Sequence, residues 1–480
     1  MKRQKRERLK SGILVLLAFL CMVQIGILWN QTQGFPFNFL LEAIFADNGY
    51  NQVDVEQVKD NYFYPENIVI MADRFSQWIL NDQHFSYHVI WNDIKENYLP
   101  EICRLKPKRI YPASMWSELM NLSSIRIDFP AKYPNSMLLW FTGIKTGNPT
   151  FNGIRGIIVV PQENVNITVN TLYVYDESNV YMYHIEINED MRPKAYYSGL
   201  ADEMRNQTDI EPMSAIGKAF PDFADPLYED IPIYAMDPEV TQTMQTLSSR
   251  IPDSLILDPE SDDLESIQES VLLAQKDSLL AMRDKTENIV VFSDLENVYQ
   301  LNANGVLEYK YLPPEQKTEP GDAKSAFVHA LSFIELRKNL VGDADIVLKD
   351  IRQEGNAFVF TFGYRYGGMD IYLSDAENSL YLSAPAIRIK ASSDRILECR
   401  WVVREFHGNP GPRIYSVSFI DMLDRINESY PSLLRFEKFQ SIRMGYHLFV
   451  ADTEHTQLTP CWLVRTDQAA YWLPIGEKGN

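Results

Sequence analysis

The sequence predicts an α+β protein: a single N-terminal transmembrane helix followed by a multi-domain extracytoplasmic body built mainly of antiparallel sheets. Three observations predict it. A basic leader precedes an uncharged apolar run, Tyr- and Val-rich segments of strand length alternate with turn residues, and the final third repeats one amphipathic helix plus a meander of strands. Helices covering one face of an antiparallel sheet bury the apolar sides of both.

The leader MKRQKRERLK holds six bases and one acid over residues 1–10. SGILVLLAFLCMVQIGILW (11–29) follows, and no Lys or Arg recurs until Lys59. At about 1.5 Å of rise per residue, this run covers most of a ~30 Å hydrocarbon layer. Cations on one flank place 1–10 in the cytoplasm and the rest outside. The exit ILWNQTQGFPF offers no small-x-small cleavage site, and Trp29 stands where an interfacial aromatic belongs. Leu20 is too bulky to precede a lipoprotein cysteine at Cys21. The run therefore reads as an uncleaved anchor rather than a signal peptide. The expected location is the cell membrane, single-pass, with the body extracellular.

Without the leader, 39 bases and 64 acids remain, a net charge of −25 for residues 11–480. Such a body repels nucleic acid and anionic lipid. Cys21, Cys103, Cys399 and Cys461 form no CxxC pair, so no zinc cluster or redox motif is indicated. A Cys399–Cys461 bridge within the last domain competes with buried free thiols.

Along the chain, FPFNFLLEAIF (35–45) is an apolar run beside the membrane or opening the first core. NIVIMAD (67–73) reads as a strand, FSQWILND as a short helix and FSYHVIWNDIKENYL (85–99) as a longer element. SSIRIDFPAKYP (123–134) is a strand ending at a proline turn, followed by SMLLWFTGI. Three strands fill 151–187, with DESN (176–179) as a hairpin turn. Pro212, Pro221, Pro226, Pro232, Pro238, Pro252 and Pro259 mark a connector over 220–260. Asp262 and Glu265 fit a capping box opening a helix through about Lys285, and its acids form a solvated outer face. Strands follow over 288–314, turning at Asn304-Gly305. AKSAFVHALSFIELRKNL (323–340) then begins the first helix-and-meander unit, and YSVSFIDMLDRINESY (415–430) begins the second. The domains expected are 40–220, a connector with acidic helix and central strands over 221–320, and 321–480.

Catalytic motifs are absent: the chain has no GxSxG, no P-loop and no dinucleotide fingerprint. His84 and His88 have the i, i+4 spacing of zinc ligands, but no Glu lies between them and no third ligand is evident. Asp343 and Asp345 read as caps, and Gly367-Gly368 as a hairpin turn. The expectation is a non-enzymatic protein with no cofactor and no metal.

The leader with its single span, the IRIDFP–LLWF pair (125–141) and the ending LTPCWLVRTDQAAYWLPIGEKG (458–479) together resemble the YycH/YycI group. These are membrane-anchored accessory proteins of Gram-positive bacteria, associated with an essential cell-wall sensor histidine kinase. The resemblance implies α+β outer domains with a PepSY-like C-terminal region. It also implies a regulator in a two-component system, whose span meets the transmembrane region of the kinase and which can pair with a paralogous accessory protein. Ser11, Gly12, Ala18, Gln24 and Gly26 are the small or polar span positions that permit close helix approach. The alternative is an extracytoplasmic protease-inhibitor or cell-wall-binding module, distinguished by what the isolated outer part binds or inhibits.

Overall fold

In the computed structural model the described residues run from 54 to 477. They exclude several segments, the longest being 162–168, 187–198, 205–240, 258–263, 274–278, 314–320, 375–384 and 432–438. The leader, the expected span at 11–29 and the run at 35–45 lie outside the described residues. Among those described, no helix is long and apolar enough to cross a membrane. Asp54–Asn480 forms one compact unit, mixed α+β and dominated by antiparallel sheets.

The first described element is α1 (Val55–Val58), capped by the Asp54 carboxylate, which accepts from Glu56 N. The hydrophobic run NIVIMAD forms β1 (Asn67–Asp73). SQWIL, expected as a helix, is instead β2 (Ser76–Leu80). It pairs antiparallel with β1 through Ile70↔Trp78 and Ile68↔Leu80, so that Trp78 and Leu80, two apart, are both fully buried. That period-2 burial overrides the helical look of the segment.

FSYHVIWNDIKENYL gives α2 (Phe85–Asp93), then a π turn at Ile94–Tyr98, then α3 (Leu99–Arg104). Next come β3 (Arg109–Pro112), α4 (Met115–Leu119), β4 (Ser124–Tyr133) and α5 (Asn135–Phe141). The sheet is completed by β5 (Ile154–Val160), β6 (Val169–Tyr175) and β7 (Asn179–Glu186). Its order is β2-β1-β4-β5-β6-β7-β3. Trp116 and Leu119 of α4 cover the Val69, Met71, Ile158 and Val180 side. Asn170 on β6 donates to Tyr98 Oη at 2.6 Å, tying the helical stretch to the sheet. The expected turn at 176–179 joins β6 to β7, with Asp176 accepting from Ser178 N and Asn179 N.

The proline-rich connector supplies two strands, β8 (Thr241–Met244) and β9 (Leu247–Arg250). The helix expected through Lys285 is short: α6 spans Glu265–Val271, and Leu280–Asp284 forms β10, paired with β11 (Ile289–Ser293). A neighbouring strand to complete makes LAMRD extended. Asp262, the proposed cap, lies outside the described residues. Then follow β12 (Asn297–Asn302) and β13 (Val306–Tyr311), joined at Gly305, whose φ of 73° suits the tight turn.

The first repeat comprises α7 (Ala323–Glu335), capped by Asp322, then β14 (Asp345–Glu354), β15 (Ala357–Tyr366), β16 (Met369–Ser374), β17 (Ile387–Ala391) and β18 (Ile396–Val402). After β19 (Glu405–Gly408) and β20 (Arg413–Ser416), the second has α8 (Phe419–Ser429) and β21 (Phe439–Phe449), with β22 (Thr456–Leu458), β23 (Pro460–Thr466), β24 (Ala470–Pro474) and β25 (Gly476–Glu477). Gly367-Gly368 makes the β15–β16 turn, both residues with positive φ.

A parallel pair, β16 with β21, fuses the two repeats into one 12-stranded sheet ordered β10-β11-β12-β13-β18-β17-β15-β16-β21-β23-β24, with β14 on β15. The pairings Tyr364↔Ile371 and Ile371↔Tyr446 continue one face across the junction. Both helices cover that face: Phe327 of α7 packs on Phe360 and Phe362, and Met422 and Ile426 of α8 pack with Trp462 and Leu473. Small sheets β19-β9-β22 and β25-β20-β8 draw the connector into the C-terminal part. Cys103, Cys399 and Cys461 are buried free thiols, so the Cys399–Cys461 bridge is not formed.

Candidate functional site

The expected partner-helix positions Ser11, Gly12, Ala18, Gln24 and Gly26 lie outside the described residues. His84 and His88 do not converge on a common point. His84 caps α2, its Nδ1 accepting from Ser86 N at 3.1 Å, and His88 Nε2 lies 2.7 Å from the Asp82 carbonyl. Among the described residues no group of three or more His, Cys, Asp or Glu side chains is placed to hold a metal. Asp343, expected as a cap, has its Oδ2 3.2 Å from His407 Nδ1, while Glu405 is 3.0 Å from His407 Nε2. Burial lowers the pKa of His407, but the hydrogen bonds and charges of Glu405 and Asp343 together outweigh it and raise the pKa.

The densest polar constellation lies where the seven-stranded sheet meets the large one. Glu66, just before β1, accepts from Arg443 on β21 at 2.7 Å. Asp370 on β16 accepts from Lys349 Nζ at 2.6 Å and from Arg365 Nε at 3.1 Å. Arg365 reaches back 3.4 Å to Asp82, beyond β2. Three acids thus balance three bases, alternating across the joint. The network sits on the face of the large sheet opposite α7 and α8, since Asp370 and Tyr372 alternate with the buried Ile371 and Leu373.

Burial alone would raise the carboxyl of Asp370, but Lys349 and Arg365 hold it far below the usual carboxylate range. Glu66 is likewise lowered, burial opposing and Arg443 with Lys349 prevailing. Lys349 is lowered by its own burial, which Asp370 only partly offsets. The Tyr64 hydroxyl is buried there without a hydrogen-bond partner, and Arg365 lies 5.7 Å from its ring centroid. Every charge being opposed, the cluster is chemically a lock: it fixes two modules in one relative position.

A second lock is aromatic. Tyr62 donates to Glu335 at the end of α7, and its ring meets Phe327 edge-on at 6.4 Å. Phe141 of α5 lies 6.0 Å from Phe327 and is stacked at 4.4 Å on Phe63. Trp140 Nε1 donates to Glu56 at 2.6 Å, tying α1 to α5.

One hydroxyl–imidazole contact was not legible in the sequence. Ser374 Oγ and His447 Nε2 are 2.8 Å apart, on the paired strands β16 and β21. The imidazole stacks on Trp472 at 4.1 Å, and burial pushes its pKa down to about 4. Ser374 is 3% exposed, so this hydroxyl is packed away from solvent. The available signal for the polar residues of the joint was Lys349, Arg365 and Arg443 standing inside apolar strand patterns, VLKDI, GYRYGG and IRMG.

No family model matches this chain, and no curated protein matches it. Among solved structures it is similar to the crystal structure of YycH from Bacillus subtilis, with 11% identity, a TM-score of 0.49, and coverage of 86% of this chain and 95% of that one. It is also similar to an uncharacterized protein from Eubacterium rectale, at 9% identity and a TM-score of 0.29 over 50% of this chain and 86% of that one.

Proposed function

We propose that this chain is a non-enzymatic, membrane-anchored extracytoplasmic regulator of a two-component sensor histidine kinase serving cell-wall homeostasis. Residues 11–29 are its span, and the PepSY-like reading belongs to the α7 and α8 units. The observation that carries the reading is one of place. The sequence runs that bear the resemblance, 125–141 and 458–479, form β4–α5 and β22–β25. β4 lies against β14 and α5 against α7, so the first run builds the contact between modules.

A body locked at two places passes a change in what it binds to its span as one displacement. The span can then shift the kinase only by its difference in affinity for two arrangements of the partner helices, ~1.4 kcal/mol per tenfold. Ser11, Gly12, Ala18, Gln24 and Gly26 are the proposed contacts. Gly12 and Gly26 are fourteen residues apart, about four turns in a helix, a spacing that would let both face one partner.

The test is affinity capture from native membranes with residues 11–29 intact or replaced by an unrelated span. The expected result is co-purification of a histidine kinase with the native span and its loss with the replacement. Retention of the same kinase with unchanged signalling overturns the contact. Replacement of Gly12 and Gly26 by Leu is expected to weaken capture, because bulk at those positions separates the backbones.

A further inference from the structure

The β3 edge of the seven-stranded sheet, which pairs with no further strand among the described residues, carries a feature that runs against the charge of the whole body. Residues 104–110, RLKPKRI, hold four bases and no acid in a chain of net charge −20. Arg104, Lys106, Lys108 and Arg109 are exposed, as is Lys145. Lys145 lies two residues before Gly147, whose backbone stands close to the Cys103 carbonyl next to the strip. Of the five, Arg104 meets Glu101 at 3.1 Å, and the other four form no salt bridge with any described residue. Two large apolar side chains stand among them, Leu105 at 39% and Ile110 at 55% exposure.

The strip is held in place. Lys108 N donates to the Met182 carbonyl at 2.7 Å, and Arg109 pairs with Met182 in register. β3 is four strands from β4, which lies against β14, so about 19 Å from that contact at ~4.8 Å per strand. The β3 part of the patch therefore takes no part in locking the modules.

A guarded sheet edge is the ordinary reason for Lys, Arg and Pro on an outer strand. Arg109 and Pro112 fit that reason. Lys108, whose N–H pairs with β7, fits it as well; Arg104 and Lys106 do not, because they precede the paired stretch, and an exposed Leu105 and Ile110 are the opposite of a guard. Cations interleaved with apolar side chains match a surface that is anionic outside and apolar just beneath. Screening confines the repulsion of the remaining body to about 8–10 Å, so a local patch can act against the net charge.

We propose that residues 104–110, with Lys145, dock the body onto the anionic lipid surface of the bilayer. The proposal uses the span of the preceding section only for proximity. Leu105 and Ile110 decide for a bilayer over a soluble polyanion, which has no apolar layer to receive them.

The experiment uses the full chain in lipid nanodiscs, with Cys21→Ser and a dye on a cysteine placed at Ser114, an exposed position just beyond β3. Spin-labelled headgroups report proximity by quenching. The expected result is quenching in discs containing phosphatidylglycerol and none in pure phosphatidylcholine. Lys106→Gln/Lys108→Gln/Arg109→Gln is expected to abolish it, and Leu105→Ser/Ile110→Ser to weaken it severalfold. Absence of quenching in anionic discs, or equal quenching in both lipids, overturns the proposal. Full quenching with the serine variant overturns it in favour of a plain polyanion site. A chain that fails to enter discs removes the span, and the same label then tests the patch with phosphatidylglycerol vesicles added from solution.

Discussion

Single residues at the joint answer to pH with opposite partners but the same sign. Asp370 and Glu66 are held ionised by neighbouring bases. Their folded pKa values lie below the unfolded ones, about 3.9 for Asp and 4.3 for Glu. The stability they add is complete above those values and is lost as pH falls through the folded ones. Asp370→Asn should leave Lys349 and Arg365 poorly opposed, costing about 3–5 kcal/mol at neutral pH in denaturant titration and flattening the acid limb of the stability curve. His447 acts higher on the pH scale: its folded pKa of about 4 lies below the unfolded ~6.5. Stability linked to it is full above ~6.5 and drains as pH falls towards the folded value. Ser374→Ala/His447→Phe removes both partners of one hydrogen bond, a nearly neutral change at pH 8. At pH 5 the double variant should be more stable than the native chain, as read by the urea midpoint; an unchanged difference between the two pH values would show that His447 is not buried neutral.

Elements carry the consequences of packing, and α7 is the one on which most depends. Phe327 is fully buried and lies within 6.4 Å of the rings of Tyr62, Trp140, Phe141, Phe360 and Phe362. Phe327→Ala should cost about 3–5 kcal/mol by denaturation, since rings from both modules cannot collapse into the hole together. This helix was legible because Ala326, Phe327, Ala330, Leu331 and Ile334 make one face. Strands between clear turns, such as β6–β7 and β12–β13, were legible for the same local reason. Elements decided by a neighbour were not. SQWIL and LAMRD have no strong period of their own, and become strands because β1 and β11 offer backbone partners.

At the scale of the whole molecule, the two C-terminal helices and the strands after them were visible in the sequence, but their joining through the parallel β16–β21 pair was not, because register between distant strands leaves no local mark. The joint was hidden likewise: Glu66 and Arg443 are 377 residues apart, and nothing in either segment names the other as its partner. Two locks joining two sheets have a thermodynamic consequence. If the interface is strong compared with either module, Asp54–Asn480 melts as one unit, and hydrogen exchange from β4 and β15 reports the same opening free energy. Weakening both locks, with Arg443→Ala and Tyr62→Phe, removes the Glu66 partner and the Tyr62 hydroxyl bond to Glu335 while leaving both sheet cores intact. Calorimetry of that variant should resolve two transitions where the native chain shows one, because each module then unfolds on its own account. Each single variant should lower the melting temperature without splitting the peak, since the remaining lock still couples the sheets. Two transitions in the native chain would mean that the contacts between modules are too weak to transmit anything, and the regulator would then have to work through the span alone.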